Sequence, residues 1–335
     1  MNNIFEQIRD YILSDGDLIV VSHFSPDGDA IGSLLAFGEI LKQLNNDYIL
    51  AIDDTLPQKY NFLPGFNQIR NTQESPINRV FERVVILDAG SLPRIGSVKS
   101  CINKQTRILN IDHHFTGPSY GDINYIDVDA SATAEILYGL CNFLDIEFTP
   151  RIIYGLYVGI LTDTGRFRFS NTSARSMEIC GDLISKGVDP SWVTENVYYN
   201  HPFEYLQTLA EVLLNMKLYF NGLACIISLD QNEKIKDTDG FVEYASSVKG
   251  VALAAFIYER EARYYKISLR SRSRIDVSEV AKKFGGGGHK KAAGFLYRGG
   301  KDDLIQNLLD EFEWQIKIRN IQPDNSLFEQ PQEDI

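Results

Sequence analysis

One stretch near the start of the chain, residues 18–41, constrains the fold more than any other. An apolar run at 18–21 leads into a polar loop, SHFSPDGD at 22–29, and a helical pattern of apolar residues follows from 30 to 41. A strand, a polar loop and a helix in this order place the loop side chains at the carboxyl edge of an open α/β sheet, where such folds bind their ligands. The stretch therefore predicts a ligand site at the end of the first strand.

The polar loop carries the ligand types that a metal ion prefers. It offers one imidazole, His23, and two carboxylates, Asp27 and Asp29, with Gly28 allowing a tight turn between the two acids. Two carboxylates ~4 Å apart repel each other by about 4 kcal/mol at an effective dielectric constant near 20, so a cation is expected to hold them together. Oxygen and nitrogen ligands together suit a divalent ion such as Mn or Mg. A loop of solvated aspartates that caps the following helix is the alternative that this stretch alone leaves open.

Short apolar runs alternate with helical patterns through the first part of the chain. Buried strands are predicted at 48–52, 84–87 and 107–111 in addition to the first one, and helices at 131–143 and 151–161. Buried strands that alternate with helices are typical of a parallel, doubly wound sheet. The expected fold class is therefore α/β, with an N-terminal doubly wound parallel-sheet domain.

The pattern changes after about residue 187. From residue 218 the predicted strands are longer and clustered, and glycine-rich turns and a terminal helix follow them, which indicates a smaller C-terminal α+β domain. The last residues are polar and contain two prolines, which is typical of a disordered tail. The predicted divisions are a catalytic domain at 1–187, a helical linker at 188–217, a second domain at 218–320 and a tail at 321–335.

Acidic and imidazole side chains recur at the ends of the predicted strands. Asp88 follows the third strand, Asp112, His113 and His114 follow the fourth, and Asp163 lies at the end of a predicted helix. Because parallel strands end at one edge of a sheet, these side chains are expected to converge without being close in sequence. Several such coincidences in one domain favour a metal site over a set of helix caps and turn residues.

The charge balance limits the kind of partner. The 335 residues include 33 Lys and Arg against 45 Asp and Glu, a net charge of -12. This balance argues against binding of long duplex nucleic acid, which needs a broad basic surface, but it allows a short anionic ligand held by a local cluster of cations. The amphipathic start is not typical of a signal peptide, and the longest apolar run, 152–161, is too short to span a bilayer. A cytoplasmic protein without a membrane partner is expected.

Such a local cluster of cations occurs in the second half of the chain. The segment 268–274, SLRSRSR, would place Arg270, Arg272 and Arg274 on one face of an extended strand. The segment 284–294, FGGGGHKKAAG, joins bare backbone N–H groups to cationic side chains, a combination that binds anions. A flexible surface turn is the alternative explanation for the glycines.

Five stretches resemble the motifs of the DHH phosphoesterases, and they occur in the family's order over about residues 15–318. They are SHFSPDGD at 22–29, LDAG at 87–90, DHH at 112–114, LTDTG at 161–165 and, for the domain that accompanies the catalytic one, FGGGGHKKAAG at 284–294. The size and arrangement are similar to those of bacterial oligoribonucleases that also act as phosphatases on 3'-phosphoadenosine 5'-phosphate.

The resemblance implies a site with two divalent cations, with Mn the expected ion and Mg an alternative. One ion would be bound by His23, Asp27 and Asp88, and the other by Asp29, Asp88, His113 and Asp163, so that Asp88 bridges the two. Their four carboxylates carry the charge that two divalent ions would neutralise. The implied catalytic residues are Asp88 and His114, and the implied substrate-binding residues, across an interdomain cleft, are Arg270, Gly286, Gly287, Gly288 and His289.

The role of His114 stays open between help to the leaving group or phosphate, a further metal ligand and simple packing. Asp112 is expected to orient a histidine rather than to bind metal.

The function that this resemblance implies is hydrolysis of short oligoribonucleotides and 3'-phosphoadenosine 5'-phosphate by a hydroxide that two metal ions activate. The expected partner is a short RNA or a nucleotide, and a homodimer is left open. Alternatives within the class are a phosphodiesterase for linear or cyclic dinucleotides (pApA or c-di-AMP) and an exopolyphosphatase-like hydrolase. From a different class, a metal-dependent nucleotide sensor would bind without turnover.

Overall fold

The structure is a computed structural model that describes residues 2–114, 119–231, 238 and 240–323. Most of the tail predicted at 321–335 lies outside the described residues. The chain divides into two compact units, Met1–Asn200 and His201–Ile335. No helix among the described residues is long and apolar enough to cross a membrane.

A six-stranded parallel sheet forms the centre of the first unit, as predicted, with strand order β3-β2-β1-β4-β5-β6. The strands are β1 (Leu18–Val21), β2 (Ile49–Ile52), β3 (Ile69–Asn71), β4 (Arg83–Leu87), β5 (Arg107–Asp112) and β6 (Ile123–Ile126). The strand order reverses between β1 and β4. In an open α/β sheet this switch point is the place where the carboxyl ends of the strands open a crevice for a ligand.

Both faces of this sheet are buried, because alternate residues of each strand point to opposite sides. On β1, Val20 belongs to one hydrophobic cluster and Ile19 to another. The first cluster includes side chains from α1 (Asn2–Ile12), α2 (Gly28–Gln43), α3 (Thr133–Phe143), α4 (Pro150–Asp163), α5 (Ala174–Ser185) and α6 (Pro190–Tyr198). The 3-10 segment Leu92–Cys101 packs against the other face.

Two edge strands, β3 and β6, were absent from the sequence prediction. Strand β3 has three residues and lies in a stretch rich in proline. All four residues of β6 are half-buried, so they lack the apolar run that marks a central strand. Length and burial pattern therefore explain why sequence periodicity found the inner strands and not these two.

The second unit is built on a mixed six-stranded sheet, with order β11-β12-β10-β9-β8-β7, in which only β8 and β9 pair in parallel. Its elements are α7 (Phe203–Leu214), β7 (Lys217–Tyr219), β8 (Ala224–Leu229), α8 (Phe241–Ser247), β9 (Leu253–Glu261), β10 (Tyr264–Ser271), α9 (Val277–Lys283), β11 (Gly287–Gly288), β12 (Ala292–Arg298) and α10 (Lys301–Ile318). Helices α7 and α8 contribute to the cluster on one face, and α9 and α10 to the cluster on the other.

The segment 188–217 is shared between the two units. Val193 and Val197 of α6 are buried in the core of the first unit, whereas Tyr205 and Leu209 of α7 are buried in the second. The two helices therefore have separate packing partners.

Candidate metal centre

The first unit gathers the predicted metal-binding side chains at the carboxyl edge of its sheet. His23 lies two residues beyond β1, and Asp88 comes directly after β4, on the two sides of the switch point. His113 follows the last residue of β5, and Asp163 is the last residue of α4.

Asp88 stands at the centre of this group. Its Oδ2 lies 3.6 Å from Nε2 of His23, and its Oδ1 lies 3.5 Å from Nε2 of His113. The hydroxyl of Thr133 donates to the same Oδ1 at 3.2 Å. The residue is buried and has a φ of 58°, in the left-handed region that non-glycine residues seldom adopt. Its two carboxylate oxygens thus face two different imidazoles, which is the arrangement that a bridging ligand requires.

Backbone carbonyls fix which ring nitrogen each imidazole presents to the carboxylates. Nδ1 of His23 donates to the carbonyl of Phe24 at 2.8 Å, and Nδ1 of His113 donates to the carbonyl of Ala130 at 3.2 Å. A carbonyl oxygen only accepts, so Nδ1 carries the proton in each ring. In the neutral ring Nε2 then has its lone pair directed toward the carboxylates, which is the form in which histidine binds a metal.

The separations between these atoms come close to those that two ion sites require. Two ligand atoms that are each ~2.1 Å from one ion lie roughly 3.0–3.5 Å apart for octahedral or tetrahedral angles. Nε2 of His113 is 3.4 Å from Oδ2 of Asp163, within this range, whereas Nε2 of His23 is 3.9 Å from Oδ1 of Asp27, so these two side chains would move slightly closer to share an ion. The ligand atoms of His23, Asp27 and Asp88 lie within 4.8 Å of one another, as do those of a second group formed by Asp29, Asp88 and His113.

Asp27 and Asp29 also cap helices. Oδ1 of Asp27 accepts from the backbone N–H groups of Asp29 and Ala30, both at 3.1 Å, and so caps α2. Its side chain remains 53% exposed. The helix-cap explanation and the metal explanation of this loop are therefore compatible, because a carboxylate has lone pairs for both partners.

Asp29 is fully buried and anchors the start of α3. Its carboxylate accepts from the backbone N–H groups of Thr133 at 2.6 Å and Ala134 at 2.9 Å, and from the hydroxyl of Ser33 at 3.1 Å. Gly159 of α4 leaves the room for it, since a Cβ there would lie 2.6 Å from Oδ1 of Asp29. Sequence reasoning identified Asp29 but not Thr133 or Ala134, because these two residues lie within the predicted helix and more than 100 positions away along the chain.

The electrostatics of the group would favour a bound cation. Burial raises the pKa of Asp163 to about 7 despite the nearby His113. Burial and the charge of Asp88 raise the pKa of Asp29 well above its usual value. Burial alone would lower the pKa of His113, but Asp163 and Asp88 raise it well above the usual range. Without other cations these groups compete for protons, so a divalent ion would bind in place of protons.

Asp112 holds the second histidine of the DHH triplet. Its Oδ1 accepts from Nδ1 of His114 at 2.7 Å and from the backbone N–H of His114 at 2.9 Å, and its Oδ2 accepts from the N–H of Gly90 at 2.6 Å. Burial would lower the pKa of His114, but this hydrogen bond and the charge of Asp88 raise it overall. His114 is thereby favoured in its protonated form beside the candidate metal ligands, as a general acid requires.

The predicted substrate-binding residues of the second unit lie near one end of its sheet. Arg270 of β10 is paired with Ala292 of β12, and the N–H of His289 donates to the carbonyl of Ala292 at 2.8 Å. The Nε of Arg270 donates to Glu243 of α8 at 2.6 Å, a contact that sequence reasoning did not anticipate.

Two of the glycines in this segment are required by packing. A Cβ at Gly286 would lie 2.2 Å from the carbonyl oxygen of Gly294, and Gly288 has a φ of 136° and little room. By contrast, no atom lies within 4 Å of a Cβ placed at Gly287, which is exposed. The run is thus a tight hairpin edge with an exposed peptide segment.

Each of the two units matches a known protein-family model. Residues 17–160 match the family model described as the DHH family, N-terminal domain, and residues 221–317 match that of the DHHA1 domain. The chain is 32% identical to a Thermus thermophilus protein named bifunctional oligoribonuclease and PAP phosphatase NrnA. The aligned region covers 85% of the chain and 85% of that protein. A Bacillus subtilis protein of the same name is 27% identical over 86% of the chain and 91% of its own length.

A solved structure extends the similarity to the three-dimensional level. The crystal structure of an exopolyphosphatase-related protein from Bacteroides fragilis matches 95% of the chain and 98% of its own length, with a TM-score of 0.85 and 26% identity.

Proposed function

The chain belongs to the DHH family of phosphoesterases, and on that premise we propose that it hydrolyses short oligoribonucleotides and 3'-phosphoadenosine 5'-phosphate with two divalent metal ions. The observation that carries the proposal is Asp88, whose two oxygens face His23 on one side and His113 on the other. The substrates are those in the names of relatives that match most of the chain at 27% and 32% identity.

The two groups of atoms, together with the contact between His113 and Asp163, support two ligand sets. His23 and Asp27 with Asp88 would hold one ion, and Asp29, His113 and Asp163 with Asp88 would hold the other. We propose Mn²⁺ as the resident ion, with Mg²⁺ as the alternative, because mixed imidazole and carboxylate ligands suit Mn²⁺ better than the all-oxygen preference of Mg²⁺. When bound, such a pair lowers the pKa of a shared water and neutralises charge on the phosphate.

The chain's own residues supply the remaining steps. The protonated Nε2 of His114, held by Asp112 through Nδ1, donates a proton to the leaving oxygen. Arg270, His289 and the peptide groups of Gly286, Gly287 and Gly288 bind the anionic groups of the substrate, as a cation and a nest of N–H groups are suited to do. Residues 1–187 thus carry the chemistry and residues 218–320 the substrate binding.

A panel of substrates tests the proposal. Metal-free protein is loaded with Mn²⁺ and assayed on pApA, a five-residue oligoribonucleotide, 3'-phosphoadenosine 5'-phosphate, c-di-AMP and polyphosphate. We expect release of mononucleotide or phosphate from the first three and none after chelation. Asp88→Ala should lose both ions and all activity, whereas Asp10→Asn, which removes a carboxylate whose partner is the neighbouring Arg9, should keep both.

Polyphosphate hydrolysis is the second candidate, since the matched Bacteroides fragilis structure is described as exopolyphosphatase-related. Turnover of polyphosphate that nucleotides do not inhibit, without turnover of the three nucleotide substrates, would replace the proposed function by this one. Tight nucleotide binding without any turnover would instead indicate a sensor.

A further inference from the structure

Arg94 is the one arginine of the first unit whose side chain has no partner among the described residues. Ten arginines lie in Met1–Asn200. The guanidinium groups of the other nine donate hydrogen bonds, form ion pairs or stack on a ring. Arg94 makes no such contact within the described ranges, although it is half-buried.

The backbone places Arg94 beside the candidate metal centre. It lies in the 3-10 segment Leu92–Cys101, which follows Asp88 after a short turn. Its carbonyl accepts from the N–H of Phe24 at 2.9 Å, and Phe24 is the neighbour of His23 in the first loop. Arg94 is therefore tied to the loops on both sides of the switch point.

The pKa of Tyr120 responds to the charge of Arg94 as well as to two carboxylates of the candidate metal centre and its surroundings. Burial raises the pKa of Tyr120, the charges of Asp112 and Asp88 raise it further, and the charge of Arg94 lowers it. The charges of Arg94, Asp112 and Asp88 therefore all reach this one phenol. Arg94 nevertheless pairs with neither carboxylate.

A half-buried guanidinium without an anionic partner loses hydration and gains no ion pair in return. Its planar fork of N–H donors matches two oxygens of a phosphate. Two divalent ions would neutralise the four aspartates of the centre, so the charge of an incoming phosphate would remain to be balanced.

We propose that Arg94 binds the non-bridging oxygens of the substrate phosphate that is being hydrolysed. The inference rests on the proposed function and adds to it a substrate contact from the first unit. Arg94 would act at the reacting phosphate, which all the substrates share, and not at a second phosphate or at a base.

Arg94→Ala and Arg94→Lys test the inference, with Lys99→Ala as the matched control because Lys99 is an exposed cation of the same segment. Each variant is loaded with Mn²⁺, its metal content is measured, and kcat/KM is determined for pApA and for 3'-phosphoadenosine 5'-phosphate. Titration calorimetry with inorganic phosphate supplies a readout that does not require turnover.

We expect Arg94→Ala to keep two ions per chain and to lose about 10²–10³-fold in kcat/KM on both substrates, the range found when one preorganised donor is removed. Its affinity for phosphate should fall at least about tenfold, Arg94→Lys should recover part of both, and Lys99→Ala should match the wild type.

Activity of Arg94→Ala within threefold of the wild type, a loss confined to one substrate, or a loss of bound metal would each overturn the inference. If the wild type hydrolyses neither substrate, the proposed function fails. Phosphate titration still decides on Arg94 in that case, since equal affinity in the wild type and Arg94→Ala would refute the contact.

Discussion

Gly159 offers a test of how tightly the candidate centre is packed. In an exposed helix interior, replacing glycine by alanine stabilises a protein by about 1 kcal/mol. Gly181 of α5 is such a position, because nothing lies within 4 Å of a Cβ built there. At Gly159 of α4 the same Cβ would lie 2.6 Å from Oδ1 of Asp29 and 2.6 Å from Cβ of Ala134.

The cost at Gly159 follows from these distances. Both neighbours must retreat by about 1 Å to reach van der Waals contact, and overpacking of this kind costs about 1–3 kcal/mol. Oδ1 of Asp29 accepts from Ala134 at 2.9 Å and from Ser33 at 3.1 Å, and a shift of that size breaks at least one of these bonds. A hydrogen bond to a charged group contributes about 1.5–3 kcal/mol. After the gain in helix propensity, Gly159→Ala should lose about 1.5–5 kcal/mol of the free energy of unfolding.

Urea unfolding of metal-free Gly159→Ala, Gly181→Ala and the wild type measures this difference, and titration with Mn²⁺ measures its effect on the centre. We expect Gly181→Ala to gain about 1 kcal/mol and to bind metal normally, and Gly159→Ala to lose stability and to bind its second ion more weakly. If both alanines stabilise the protein alike, the packing of Asp29 against α4 and α3 described above is incorrect.

Three further outcomes are expected. Because burial raises the pKa of Asp163 to about 7, its proton must leave before it binds metal, and Mn²⁺ affinity by calorimetry should fall at least about tenfold from pH 8 to pH 6; equal affinities would refute this. Asp112→Asn should lower kcat about 10²-fold or more while both ions are retained. It should also move the alkaline limb of the pH–rate profile to lower pH, since the charge that keeps His114 protonated is lost. An unchanged profile would count against His114 as a general acid. Glu243→Gln should raise KM several-fold with little change in kcat, because it loosens Arg270, a proposed substrate contact, without touching the proposed metal ligands. A fall in kcat alone would contradict this.

The sequence predicted the inner strands and the residues at their ends because both follow from local chemistry. The apolar runs before His23, Asp88 and His113 are continuous, as strands buried on both faces require, and parallel strands end at one edge. The motif resemblance then grouped the proposed metal ligands into two sets. The structure adds that Asp88 achieves its central position through a left-handed backbone, which no sequence pattern displayed.

Other parts of the centre depend on contacts between distant segments, and these could not be predicted. Thr133 lies 45 positions from Asp88 and 104 positions from Asp29 along the sequence, so no local spacing relates it to either residue. Arg94 was overlooked for a similar reason, because its interest lies in having no partner among the described residues, which is a property of the folded chain. The pairing of Arg270 with Glu243 likewise spans 27 positions.

The carbonyls of Phe24 and Ala130 have a consequence for how the centre changes during evolution. They fix the tautomers of His23 and His113 by accepting a hydrogen bond from Nδ1. In many metalloproteins the acceptor is instead an aspartate or glutamate side chain. A point mutation can delete a carboxylate but not a peptide oxygen. Drift at positions 24 and 130 can therefore alter bulk and polarity while both rings continue to offer the same nitrogen, and only a change in the path of the main chain can turn them away.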